Sequence, residues 1–193
     1  MKKPILLITA AFLSFSSIAQ KDKVYTSLEE ALQQPDEVYM LSLSNHKLTT
    51  LPADVLKLPN LTTLDLSFNK LSSLPSSVSQ LKNLTELNLG SNKLTAVPAA
   101  ICTINSLKEL DLSDNNLSSL PQAISSLSQL NILYLTNNKF KAFPDIISRL
   151  SSLKELYLYG NQLTSLPESI GRLTALTELG LGGNLLFALP ESF

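Results

Sequence analysis

The sequence predicts an α/β solenoid: a curved stack of parallel strands with short helical or 3₁₀ returns on its outer side. A unit of 23 residues recurs seven times between residues 38 and 193 without an insertion. Such a period is typical of identical supersecondary units stacked along one axis. Within each unit, apolar residues first alternate, as in a half-buried strand, and then follow helical spacing. Each unit is therefore expected to form one strand and one return.

Residues 1–19 have the pattern of a secretory signal peptide. Lys2 and Lys3 precede an apolar run from residue 5 to 15, and small residues stand at positions 17 and 19, so cleavage is expected between Ala19 and Gln20. The apolar run is shorter than the ~20 residues that cross a bilayer. We therefore expect a secreted, periplasmic or cell-surface protein with no membrane span once the signal is removed.

Residues 20–37 carry no repeat and are predicted to form an N-terminal capping segment. Ser27 and Glu30 have the spacing of a capping box, an apolar stripe follows at helical spacing, and Pro35 prevents continuation. These signals predict a helix from Ser27 to Gln34. Its apolar side would cover the first repeat.

The remaining residues, 38–193, form the repeat array, and its second copy shows the unit in full. Seven apolar side chains of that copy are expected to face one interior: Leu61, Leu64, Leu66, Leu71, Leu74, Val78 and Leu81. One unit cannot bury them alone, so stability must come from stacking. Pro75 is expected in the first turn of the return, where its missing N–H goes unused.

An asparagine recurs where each strand ends, at positions 69, 92, 115, 138, 161 and 184. A side-chain amide carries a donor and an acceptor for backbone groups exposed at a buried turn. Stacked copies therefore predict a ladder of buried amides with a structural role. In the first copy His46 takes this place.

The unit L-x-x-L-x-L-x-x-N-x-L, as at Leu61–Leu71, resembles the leucine-rich repeat. The L-P-x-x-[IV]-x-x-L that follows is similar to the 23-residue class of Ras-suppressor-like scaffolds and bacterial surface or effector proteins. This resemblance implies a horseshoe with a parallel concave sheet. It further implies recognition of a protein or another ligand on that sheet, with no cofactor and no shared chemistry.

Charge and cysteine content restrict the possible functions. The net charge is −1, or −3 once Lys2 and Lys3 are removed, and no basic stripe of the kind that nucleic-acid binding requires is present. The single cysteine, Cys102, allows no intrachain disulfide. Equivalent positions in other returns hold serine, so Cys102 is expected at a surface-leaning position.

The last copy is incomplete and more apolar than the others. Leu185, Leu186 and Phe187 stand where other copies carry polar residues, and the chain stops at Phe193. Terminal repeats usually need a polar cap. Three explanations are open: a truncated longer protein, self-association through this end, or Phe193 folding back as a lid.

Partner binding is predicted on strand residues that point away from the core. We expect a recognition patch centred on the three tyrosines of copies five and six and rimmed by Glu109, Asp111 and Glu155, because exposed tyrosines are favoured at interfaces. The predicted partner-binding residues are Asp65, Phe68, Glu86, Asn88, Glu109, Asp111, Asp114, Tyr134, Glu155, Tyr157 and Tyr159. A solvated strand face would also be polar, so the carboxylates alone would not mark a site.

Two alternative functions use the same face. Glu86 and Glu109 on adjacent strands would stand at about the ~5 Å carboxylate separation of retaining glycosidases. On an open face, however, neither carboxylate is expected to have a shifted pKa, and no catalytic residue is predicted. Oxygen ligands from Asp65, Asn88, Glu109 and Asp111 could bind calcium, although no known loop spacing is present. A glycan-binding repeat protein is the remaining alternative.

Overall fold

The computed structural model describes residues 21–191, and the predicted signal peptide and Phe193 lie outside them. Eight short strands form one parallel sheet in chain order. They are β1 Val24–Tyr25, β2 Met40–Ser42, β3 Thr63–Asp65, β4 Glu86–Asn88, β5 Glu109–Asp111, β6 Ile132–Tyr134, β7 Glu155–Tyr157 and β8 Glu178–Gly180. The α/β solenoid predicted from the repeats is confirmed.

Neighbouring strands pair in a constant register of 23 residues from β2 to β8. Leu64 of β3 pairs with Leu87 of β4, which pairs with Leu110 of β5. Because the period is constant, equivalent side chains form continuous columns across the sheet. The strands are ~4.8 Å apart and the returns are wider, so the strands line the inner side of the curve.

Each return contains a 3₁₀ helix on the outer side. These helices span Ala53–Lys57, Ser76–Gln80, Ile101–Thr103, Gln122–Ser126, Asp145–Arg149 and Glu168–Arg172. The proline lies one residue earlier than predicted: Pro75 is the N-cap, with extended backbone, rather than a residue of the first turn. Its carbonyl accepts the N–H of Val78, which closes the first 3₁₀ turn around a buried side chain.

The core is a continuous apolar interior between the sheet and the returns. All seven apolar positions of the second copy are buried, from Leu61 to Leu81. Phe140 takes the place of a leucine in the fifth copy and is also completely buried. The core therefore has no break between copies, as stacking of incomplete units requires.

The asparagines form the predicted ladder. The side-chain amide of Asn115 donates to the carbonyls of Leu89, Leu112 and Ser113, and its oxygen accepts the N–H of Leu94. The bonds to Leu89 and Leu94 join the residue to the preceding copy. His46 keeps only one bond of this kind: its exposed ring donates from Nδ1 to the Ser44 carbonyl, as the Asn115 amide does to the Ser113 carbonyl.

The segment before the repeats adds strand β1, which the sequence analysis missed, and helix α1, Leu28–Ala31. The predicted helix from Ser27 to Gln34 is therefore too long. Ser27 is the N-cap and accepts the N–H of Glu30. The Glu30 carboxylate does not complete the capping box but lies 2.8 Å from Nζ of Lys23. After α1, the 3₁₀ helix Pro35–Glu37 leads into β2.

Cys102 is buried, and the surface-leaning position expected for it is wrong. The 3₁₀ helices of neighbouring copies pack side by side, so a small side chain between them is covered. Burial raises the pKa of the thiol. Within residues 21–191, no helix is long and apolar enough to span a bilayer.

Candidate functional site

The inner face of the sheet displays the outward side chains of every strand in parallel columns. One column runs through Glu86, Glu109, Ile132, Glu155 and Glu178, and a second runs through Asp65, Asn88, Asp111, Tyr134, Tyr157 and Gly180. The columns arise because strand residues alternate between core and solvent while register stays constant. Acidic and aromatic side chains thus lie side by side on one surface.

Three tyrosines form a stack on the C-terminal half of this face. The ring centroids of Tyr134 and Tyr157 are 4.8 Å apart and their planes differ by 8°. Tyr159 continues the stack, with its centroid 6.1 Å from that of Tyr157 and an interplanar angle of 20°. The first spacing equals the distance between neighbouring strands. The rings therefore stand upright on the sheet, with their faces directed along the solenoid axis.

Gly180 makes room for the third ring of this tyrosine stack. A Cβ atom at Gly180 would overlap Cε2 and Cζ of Tyr159, and Gly180 is buried although it lies in an outward-facing column. Its φ is not positive, so the glycine is needed here for space rather than for backbone conformation. The ring of Tyr159 thereby occupies the place that a side chain of β8 would otherwise take.

The hydroxyls of the stack differ in their surroundings. Tyr157 donates to Oε2 of Glu155 at 2.8 Å, and this bond, with desolvation and nearby Glu178, raises the pKa of Tyr157 well above its usual range. Desolvation, with the charges of Glu109 and Glu155, also raises the pKa of Tyr134. No hydrogen bond is formed by the Tyr134 hydroxyl within the described part of the chain.

The N-terminal half of the face is a shallow acidic depression of about 190 Å³ lined by side chains of β3, β4 and β5. Asp65, Asn88 and Asp111 each accept the N–H of the residue two positions later. These side chains therefore stabilise the turn that follows each strand, a role that the sequence analysis did not foresee. Asp65 also accepts the hydroxyl of Ser42 at 2.9 Å.

Glu109 departs from the expectation of an unshifted carboxylate. Partial burial and, secondarily, the charges of Glu86, Asp111 and Glu155 raise the pKa of Glu109. The depression next to it is nevertheless smaller than the ~300–1,000 Å³ typical of small-molecule sites. For calcium, no group of three or more acidic, histidine or cysteine side chains among residues 21–191 is placed to hold a metal ion.

Two predicted partner-binding residues lie at the edge of the face rather than with the tyrosine stack. Phe68 and Asp114 follow the strands at positions with φ of 54° and 53°, a left-handed conformation. Phe68 is 64% exposed and belongs to the second copy, three strands away from Tyr134. Asp114 accepts a hydrogen bond from the Asn137 amide at 2.9 Å. The structure thus groups Glu109, Asp111, Tyr134, Glu155, Tyr157 and Tyr159, and separates Phe68 from them.

The repeat pattern places Glu178 and Gly180 on the outward face, but the sequence analysis did not include them among the partner-binding residues. The sequence did contain a signal for Gly180: the equivalent position in the other copies carries Ser, Asp, Asn or Tyr. The contact between Tyr159 and Gly180 joins residues from different columns. A comparison of equivalent positions alone does not reveal such a contact.

Comparison with known families matches the model of a leucine-rich repeat region over residues 37–119 and again over residues 100–184. No curated protein matches the chain. Among solved structures, a leucine-rich repeat protein of Leptospira interrogans is similar, with 32% identity and a TM-score of 0.56. That match covers 89% of this chain and 61% of the other.

A second similar structure is the leucine-rich repeat ectodomain of the plant membrane receptor kinase GASSHO1/SCHENGEN3 from Arabidopsis thaliana, in complex with Casparian strip integrity factor 2. It is 34% identical, with a TM-score of 0.67, over 84% of this chain and 20% of that chain. This chain therefore spans less than two thirds of the length of either protein.

Proposed function

The chain belongs to the leucine-rich repeat family, and on that basis we propose that it is a secreted or cell-envelope module that binds a protein partner on the concave face of its sheet. The tyrosine stack of Tyr134, Tyr157 and Tyr159 is the centre of the binding surface. Glu109, Asp111, Glu155 and Glu178 form its rim.

The observation that carries this proposal is the replacement of turn-stabilising residues by tyrosine. In β3, β4 and β5 the equivalent Asp or Asn accepts the N–H two residues later. Tyr134 and Tyr157 occupy this position in β6 and β7 and cannot make that bond with an aromatic ring. The fold gains no turn contact from them, so a partner that packs against the rings explains their presence better than local stability does.

The family and the predicted signal peptide support the remaining parts of the proposal. Leucine-rich repeat domains are commonly protein-binding modules, and the Arabidopsis ectodomain was solved with a bound factor. The pattern of residues 1–19 favours export. Tyrosine is also one of the residues enriched among interface hot spots.

Capture experiments with matched variants test this function. The mature chain, a Tyr134→Ala/Tyr157→Ala variant and a Phe187→Ala control are immobilised and exposed to secreted and envelope fractions of the producing organism. Phe187 is 82% exposed and follows β8 in the seventh copy, outside the two columns of the face, so its loss removes an exposed aromatic ring without removing a side chain of those columns.

The proposal predicts a protein that is retained by the wild-type chain and by the control. The double tyrosine variant should bind that protein at least about ten-fold more weakly. Equal retention by the double variant would show that the partner docks elsewhere, and the proposed binding face would be wrong.

A further inference from the structure

The concave face carries negative charge that no cation of the described chain neutralises. Its two main columns contain Glu86, Glu109, Glu155, Glu178, Asp65 and Asp111, and no lysine, arginine or histidine. Both ion pairs found within residues 21–191, Lys23–Glu30 and Lys57–Asp54, lie elsewhere. Lys108 and Lys154 are the nearest lysines in sequence, and both are exposed and unpaired with these carboxylates.

One end of the tyrosine stack is open toward this charge. Tyr157 covers one face of the Tyr134 ring, and the other face is directed toward β5. The residue that pairs with Tyr134 on β5 is Asp111, whose short side chain cannot cover a tyrosine ring. Oδ1 of Asp111 accepts the N–H of Ser113, and Glu109 lies two residues before it on the same face. The Tyr134 ring therefore adjoins the acidic depression at the end that Glu109 and Asp111 line, and we call this junction the notch.

The same combination already holds a cation elsewhere in the molecule. Nζ of Lys23 lies 4.0 Å from the centroid of the Tyr25 ring and 2.8 Å from the Glu30 carboxylate. The hydrogen bond that Lys23 donates to the Glu30 carboxylate, more than any other contact, raises the pKa of Lys23. The notch at Tyr134 presents the same two chemical groups without the cation.

We propose that this face binds an extended, arginine-bearing segment of a protein partner, with one guanidinium stacked on the open face of Tyr134 and hydrogen-bonded to Asp111 and Glu109. Arginine suits the notch better than lysine, because a planar guanidinium stacks on an aromatic ring and bonds carboxylates through several N–H groups. The inference rests on the proposed function and names the chemistry of its partner.

Synthetic peptides test the inference directly. The probe is a fluorescein-labelled twelve-residue peptide in which every third residue is arginine and the others are glycine and serine. Two matched peptides carry lysine or citrulline at the same places, since citrulline keeps the planar shape without the charge. Binding is measured by fluorescence anisotropy at low and moderate salt.

We expect the arginine peptide to bind about ten-fold more tightly than the citrulline peptide and several-fold more tightly than the lysine peptide, with affinity decreasing as salt increases. Equal binding of the arginine and citrulline peptides, or binding of neither, would overturn the proposal. If the lysine peptide bound as well as the arginine peptide, guanidinium stacking would be wrong.

Variants place the binding at the notch. Tyr134→Leu, which keeps apolar bulk without an aromatic face, and Asp111→Asn should each weaken the arginine peptide about five- to ten-fold. Asp145→Asn removes one acidic charge from the exposed outer side and should leave binding unchanged. Circular dichroism checks that all three variants keep the fold. If Asp145→Asn weakened binding of the arginine peptide equally, the net charge of the protein would explain the loss, and binding at the notch would be wrong.

Failure of this inference can be told apart from failure of the proposed function. If the natural partner requires Tyr134 and Tyr157 but the arginine peptide does not compete with it, the binding face is right and the partner chemistry is wrong. If the natural partner ignores both tyrosines, the proposed function itself fails.

Discussion

At the scale of single residues, the concave face combines side chains that bond the turn after their strand with side chains that make no such turn contact. Asp111 accepts a backbone N–H in the turn after its strand, whereas Tyr134, its neighbour in the same column, has no hydrogen bond from its hydroxyl within residues 21–191. Both are half-buried and lie on the same face of the sheet. Removing the Asp111 side chain should therefore lower stability through its turn, whereas removing the Tyr134 side chain should leave that kind of turn contact unchanged.

Glu109→Gln should stabilise the protein at neutral pH. Because its folded pKa is raised, the contribution of Glu109 to stability is fully present below its unfolded pKa and is lost as pH rises through the folded pKa. At neutral pH the charged carboxylate is partly desolvated and also faces Glu86 directly across the strands. Removing one of two opposed like charges is worth about 0.5 kcal/mol. Urea unfolding at pH 7 and again below pH 4 measures this gain, which should disappear in acid.

A double-mutant cycle provides the control for this prediction. In a Glu86→Gln background the same change at Glu109 should stabilise less, because the opposing charge is gone. A gain that was equal in both backgrounds, or that persisted in acid, would contradict repulsion as its cause.

Gly180→Ala should displace the ring of Tyr159 without unfolding the solenoid. The added methyl would overlap the ring, which can swing away because Tyr159 is 43% exposed. Loss of one stacked pair should cost about 1 kcal/mol, and the tyrosine band in near-UV circular dichroism should weaken. Gly182→Ala is the matched comparison: its methyl would lie 3.3 Å from Cδ1 of the same ring, a tight contact that a small shift of the ring relieves, so the spectrum should change less. Equal spectra for Gly180→Ala and the wild type would contradict the packing of the Tyr159 ring against Gly180.

At the scale of elements, the asparagine ladder joins each strand end to the preceding copy. Every rung from Asn69 to Asn161 is buried and joins copies through both its amide nitrogen and its oxygen. Asn184 makes equivalent bonds but is only half-buried at the end of the array. The rungs should therefore differ in their effect on stability according to position.

Asn115→Ala should destabilise the protein by about 2–4 kcal/mol. It would leave the carbonyls of Leu89 and Leu112 and the N–H of Leu94 without their partner in a buried place. Asn184→Ala should cost about half as much, because water can reach the groups it exposes. Chemical denaturation of both variants provides the comparison. Equal losses of unfolding free energy in the two variants would show that burial does not determine how much a ladder asparagine stabilises the protein.

The period allowed strands, columns, core leucines and the ladder to be predicted from sequence, because each depends on positions that recur every 23 residues. Features outside the period were predicted less well. Strand β1 has only two residues and no repeat signal. The burial of Cys102 and the close packing of Tyr159 on Gly180 depend on contacts between neighbouring copies. A pattern read along one copy does not contain those contacts.

At the scale of the whole molecule, one side of the sheet is covered by the core and the other side is open to solvent. On the open side of the sheet, the tyrosine stack lies toward the C-terminal copies and most of the carboxylates lie toward the middle copies. At the far end Leu185, Phe187 and Leu189 are all more than half exposed. Self-association through that end stays a prediction, and light scattering across a concentration series would test it.

The distribution of tyrosines allows the central claim to be tested in one measurement. The chain has five: Tyr134, Tyr157 and Tyr159 in the stack, and Tyr25 and Tyr39 in the N-terminal part. With tyrosine rings isotopically labelled, the captured partner is titrated in and the ring signals are followed by NMR. Partner binding should shift the signals of the three stacked rings and leave those of Tyr25 and Tyr39 unchanged. Saturated binding that left the three stacked rings unshifted would contradict the proposed binding face.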